Sequence, residues 1–141
     1  MNIRIRRSGS LAMLGVGVWV TMMVAPSANA AITGVSVEQP ADGLRTGCSY
    51  TVTATVDAPV SEAGEVTIGV TGVPTNGEER WVAEYHPESG TATISWTPTH
   101  TGRQNVFAQQ FKPGQYTSAD YTTVDVVGNG VNTGSSCLPL P

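Results

Sequence analysis

From Cys48 to Asp57 the chain alternates without a break. Cys48, Tyr50, Val52, Ala54 and Val56 fall on one side of an extended strand; Ser49, Thr51, Thr53, Thr55 and Asp57 fall on the other. Successive side chains of a strand point to opposite faces, so this spacing predicts a strand buried on one side and wet on the other. Glu65–Thr71 repeats the pattern with Val66, Ile68 and Val70 inward. Thr91–Thr97 repeats it with Ala92, Ile94 and Trp96 on one face. Arg103–Phe111 places Val106 and Ala108 inward.

Three further runs complete the series: Thr33–Gln39, stopped by Pro40, then Trp81–Tyr85 and Ala119–Val127. Asn76-Gly77, the loop Pro98–Gly102 and Pro113-Gly114 supply turn residues between runs. No stretch after residue 30 keeps an apolar 3.6-residue period long enough to predict a helix. About seven short alternating strands in about 110 residues is the arithmetic of an all-β, Ig-like antiparallel β-sandwich. A closed barrel is the structural rival, and no internal repeat points to a propeller or solenoid.

The first 30 residues follow a different rule. Arg4, Arg6 and Arg7 precede an apolar run from Leu11 to Ala25, and Ser27-Ala28-Asn29-Ala30 closes it. A basic start, an apolar middle and an A-x-A end define a cleavable signal peptide, cut after Ala30. The run is about 15 residues, short of the roughly 20 that a membrane-spanning helix needs. Arg6-Arg7 raises the twin-arginine route, but Ser8-Gly9-Ser10 lacks the bulky apolar residues of that signal. The general secretory route is therefore expected, and with it a secreted, extracellular protein. No cysteine follows the cut, and Leu138-Pro139-Leu140-Pro141 carries no second apolar tail, so neither a lipid anchor nor a membrane span is expected in the mature chain. The expected organisation is a signal peptide at 1–30, a sandwich domain at 31–127 and a C-terminal strap at 128–141.

Export changes the charge and the cysteine chemistry together. Arg45, Arg80, Arg103 and Lys112 are the cations left against eleven acids, a formal charge of −7 after cleavage. Such a chain lacks the basic footprint needed to neutralise nucleic-acid phosphates or to meet anionic lipid. Cys48 and Cys137 are the two cysteines. Outside the cell two thiols are expected to form one disulfide, with free thiols or an intermolecular bridge as the alternatives. The bond would tie the strap to the start of the second strand.

Several motifs together resemble the bacterial Ig-like repeat domains (group 3-like) of secreted and cell-surface proteins. They are Tyr50-Thr-Val-Thr-Ala-Thr-Val56, Gly64-Glu-Val-Thr-Ile68, Gly90-Thr-Ala-Thr-Ile-Ser-Trp-Thr-Pro98, Gly102, Val106-Phe-Ala108 and Val124-Asp-Val126. The resemblance covers about residues 33–127. It implies a non-catalytic spacer, adhesion or binding module, although fold alone does not assign function. Two features depart from antibody-type domains: Cys137 follows the last strand, and no Trp lies between Val66 and Val70.

A search for catalytic chemistry finds little. The histidines are His86 and His100, both in loop-like sequence and read as solvent-exposed; no G-x-S-x-G elbow accompanies them. Joining them to Glu84 or Glu88 lacks metal-ligand spacing. Glu78-Glu79 are adjacent in a turn and read as solvated, whereas glycosidase carboxylates face each other across a cleft. No calcium loop, phosphate cradle or cofactor motif is present. The chain is therefore expected to be non-enzymatic and to need no cofactor.

The aromatic residues carry the functional hint. Phe107 and Phe111 lie on the face opposite Val106 and Ala108, and Tyr116 and Tyr121 follow closely. Exposed together, they would form a candidate binding patch for a protein or glycan of the cell envelope; packed under loops, they would serve the core. The expected function is thus a secreted, non-enzymatic Ig-like module for binding or spacing. The alternatives are a small-ligand carrier resembling the enediyne-chromophore-binding apoproteins, which typically carry two disulfides, and a small hydrolase or metalloenzyme.

Overall fold

The computed structural model describes residues 32–72, 77–114 and 116–141. The signal peptide read at 1–30 and Asn76 of the Asn76-Gly77 turn lie outside these residues. Ten strands follow in chain order: β1 (Ile32–Val37), β2 (Leu44–Thr46), β3 (Tyr50–Val56), β4 (Val66–Thr71), β5 (Glu79–Val82), β6 (Glu84–His86), β7 (Thr91–Trp96), β8 (Gly102–Lys112), β9 (Tyr116–Asn132) and β10 (Cys137–Pro139).

They form two sheets. The smaller runs β1-β3-β7-β6. The larger is built on β9-β8-β4-β5, with β10 antiparallel and β2 parallel to β9. Four strands in one sheet, with the third, fifth and sixth long strands (β4, β8 and β9) opposite them, is the pairing of an immunoglobulin-type sandwich.

The alternation in β3 explains why two sheets meet. Tyr50, Val52, Ala54 and Val56 turn inward with Ala92 and Trp96 of β7. Val66, Ile68 and Val70 of β4 face them from the other sheet, with Val106 and Ala108 of β8 and Val124 and Val126 of β9. Burying a Val or Ile side chain contributes about 1.5–3 kcal/mol, so this one layer supplies most of the drive to fold. On the wet side of the smaller sheet, Thr51, Thr53 and Thr55 stand in register with Ser95, Thr93 and Thr91. Cross-strand hydroxyl pairs suit that exposed face.

Among the described residues there are ten strands where the alternation indicated about seven, and each extra strand has a cause. The run Trp81–Tyr85 divides at Ala83, because Glu79–Val82 pairs with β4 while Glu84–His86 pairs with β7. One stretch of sequence thus crosses from one sheet to the other, which a two-residue period does not encode. Leu44–Thr46 is too short to show a period and becomes a strand by pairing with β9. The last long strand continues beyond Val127 through Gly128 and Gly130 to Asn132, and β10 folds back on it. The tail 128–141, expected as a strap tied by the disulfide, pairs as a hairpin with the end of β9 and carries Cys137 of that bond.

The disulfide forms within the chain. Cys48, just before β3, is bonded to Cys137 at the start of β10, with 5.8 Å between their Cα atoms and 89 residues of separation. Beside it, the Leu140 amide donates to the Asn129 carbonyl at 3.0 Å. Pro139, the next residue in, then points its backbone away from β9 and has no N–H to offer. That proline closes the edge of β10 to strand addition.

Candidate functional site

The outer faces of the two sheets differ in chemistry. Outward positions of β3 and β7 carry Thr and Ser. Among the described residues, the exposed large apolar side chains are Val82, Phe111, Tyr121, Val127, Val131, Leu138 and Leu140. All lie on the larger sheet or on the residue following its last strand. On β9 they alternate with inward residues: Tyr121 and Val127 share a face opposite Val124 and Val126, and Val131 alternates with Gly130. Leu138 stands opposite Val131 in the β9–β10 pair.

Register places the aromatic residues. Gly69 of β4 lies between Arg80 of β5 and Phe107 of β8, and Phe107 pairs with Tyr121 of β9. The Phe107 ring leans over Gly69, where an added Cβ would come within 2.4 Å of the ring. The Arg80 guanidinium lies 5.0 Å from the ring centroid, a cation–π contact. Phe107 is therefore half-buried and anchors the row. Phe111 and Tyr121, 54% and 68% exposed, remain available to a partner. Tyr116 opens β9 opposite Lys112; its side chain lies outside the described residues. The structure thus brings Phe107, Phe111 and Tyr121 to one face. It adds five aliphatic residues that the sequence reading missed, because Val82, Val127, Val131, Leu138 and Leu140 are scattered in the chain.

The remaining candidates are placed as follows. His86 is not a solvent-exposed loop residue: it ends β6, is half-buried, and its Nε2 lies 2.8 Å from the Thr93 hydroxyl. Glu88 stands 3.8 Å from its Nδ1. The cause is that β6 pairs with β7, so His86 is held against the neighbouring strand. His100 is exposed, with its Nδ1 2.8 Å from the Thr99 hydroxyl. Glu78 is an ion-pair partner of Arg80, while Glu79 opens β5 half-buried. Among the described residues, no three His, Cys, Asp or Glu side chains converge to hold a metal ion.

One buried acid went unremarked in the sequence. Glu65 accepts hydrogen bonds from the Ser61 amide (2.9 Å), the Ser61 hydroxyl (3.1 Å), the Glu62 amide (3.3 Å) and the Gln110 side-chain amide (2.7 Å). It fastens the loop after β3 to β8, a structural role. Two open grooves lie elsewhere. One of about 360 Å³ sits where the chain changes sheets, lined by Val60, Ala63, Val82 and Tyr85. Another of about 490 Å³ lies beside the disulfide, lined by Glu38, Tyr50, Asn132 and Ser135.

No protein-family description, curated protein or solved structure matches the chain.

Proposed function

We propose that this chain is an exported, non-enzymatic Ig-like module that binds a partner at the cell envelope or outside the cell through the outer face of its larger sheet. The observation that carries this reading is the segregation of exposed apolar side chains onto one of two otherwise comparable faces. Exposed apolar groups scattered singly need no explanation, whereas a face that gathers them marks an interaction surface. The Cys48–Cys137 bond fits an oxidising compartment. A protein partner suits the face better than a glycan. Five of its seven exposed apolar residues are aliphatic and offer no flat ring for a sugar to stack on.

A photoreactive side chain placed at Tyr121 tests this, with the same group at Thr53 on the opposite sheet as the control. Cross-linking from position 121 alone, in envelope and culture-medium fractions, is the expected result. Equal cross-linking from both positions, or none from either, overturns the assignment. An enzymatic activity that disappears in a His86→Ala, His100→Ala double variant would overturn the non-enzymatic part.

A further inference from the structure

The face described above has a pattern along its length. At one end stand Val82, Phe111 and Tyr121; at the other, Val127, Val131, Leu138 and Leu140. Between these ends lies one opposite-charge doublet, Arg103 of β8 directly across from Asp125 of β9, at 3.6 Å. Both members are largely exposed. The apolar ends thus flank a polar and charged middle, where the Thr123 hydroxyl also donates to Asn105 at 2.8 Å.

We propose that the occupant of this face is a second copy of the chain, related by a two-fold axis passing close to Arg103 and Asp125. This rests on the reading of the face as a binding surface. A two-fold contact must be self-complementary: whatever residue i meets on its partner must meet residue i in return. An adjacent Arg–Asp doublet meets that demand, since rotation brings each Arg103 opposite the second copy's Asp125. The same rotation, about an axis running along the strands between β8 and β9, lays the Phe111–Tyr121 end on the same end of the second copy and the Val131–Leu138 end on its own counterpart, apolar against apolar.

Charge and area agree with this choice. Two chains that each carry −7 repel one another over most orientations. The outer face is the exception: Arg80 and Arg103, two of the four cations left after cleavage, offset Glu78 and Asp125 there. Contact through this face brings a near-neutral patch to a near-neutral patch. Strands spaced by about 4.8 Å, with seventeen residues of β9, eleven of β8, six of β4 and four of β5, present on the order of 600 Å² per copy over the whole face, near the lower bound for a specific pair. Pairing through the edge of β10 is disfavoured by Pro139, and the contact proposed is face to face.

Sedimentation of the exported chain, purified after signal cleavage and measured up to about 100 μM, decides the matter. The native chain is expected to show twice the mass of one chain. Arg103→Asp and Asp125→Arg, each alone, place like charges opposite one another and are expected to halve that mass. An equimolar mixture of the two variants restores opposite charges at both contacts and is expected to recover the double mass. Circular dichroism of each variant checks that the fold persists. A native chain that stays monomeric at every concentration overturns the proposal. So does a dimer indifferent to both substitutions, or variants that fail to re-pair on mixing. A monomer that still cross-links from position 121 to an envelope protein overturns the second copy while sustaining the binding face. A monomer that cross-links to nothing overturns both.

Discussion

Gly130 shows how much a missing side chain can decide. A Cβ there would lie 2.9 Å from the Cys137 sulfur, 3.0 Å from the Cys48 sulfur and 3.0 Å from the Arg45 Cβ. Only a bare backbone lets β9 run under the disulfide. Gly47 approaches the same place, since its Cβ would meet the Gly130 carbonyl at 2.7 Å. It also has φ of +75°, which a side chain rarely adopts. Gly130→Ala is expected to destabilise the fold by about 1–3 kcal/mol through overpacking, read as a lowered urea midpoint at unchanged slope. An unchanged midpoint would show that the bond and β9 shift apart freely. The glycines of this segment look like loop residues in the sequence because composition does not reveal what lies against them.

At the scale of elements, the C-terminal hairpin is the piece whose attachment depends most on one covalent bond. Leu138 and Leu140 are exposed, so β10 adds little buried apolar surface; its hold is a short ladder on β9 and the link to Cys48. The bond closes a loop of 89 residues' separation. Constraint of the unfolded chain over such a loop is worth about 4–5 kcal/mol at most. Cys48→Ser with Cys137→Ser is expected to lower stability by about 2–5 kcal/mol. Amide exchange in that variant should speed up over residues 133–141 before it does in β3, β7 and β8, because local opening follows buried contact. Uniform acceleration across all strands would instead make the bond a brace for the whole sandwich. The alternation identified β3, β4, β7 and β8 within a residue or two, since each has one buried face. It joined β5 to β6, because both halves of that run alternate while belonging to different sheets.

At the scale of the molecule, the acidic balance of residues 31–141 acts on stability as well as on association. Ten acids lie among residues other than the buried Glu65, and four cations oppose them. Self-repulsion of this kind destabilises a compact state and is screened by salt. Raising sodium chloride from about 10 mM to about 0.5 M is expected to raise the melting temperature by a few degrees. A falling melting temperature would mean that the surface ion pairs, such as Arg45–Asp42 and Arg103–Asp125, outweigh the net repulsion. The same chain thus has one hydroxyl-bearing face, one face that gathers the exposed apolar side chains beside ion pairs, and an acidic remainder.

The sequence by itself determined the all-β class, the inward residues of the long strands and the expectation of export and a disulfide. Those features are written in neighbours two residues apart, in the order of the first 30 residues and in the presence of two cysteines. Tertiary structure alone decided which sheet each strand joined, that Phe107 lies over Gly69, and that Val82, Phe111, Tyr121 and Leu138 share one face. Alternation says only that a side chain points away from the core. Which outer face receives it depends on strand pairing between residues far apart in the chain, and a local period carries no record of that.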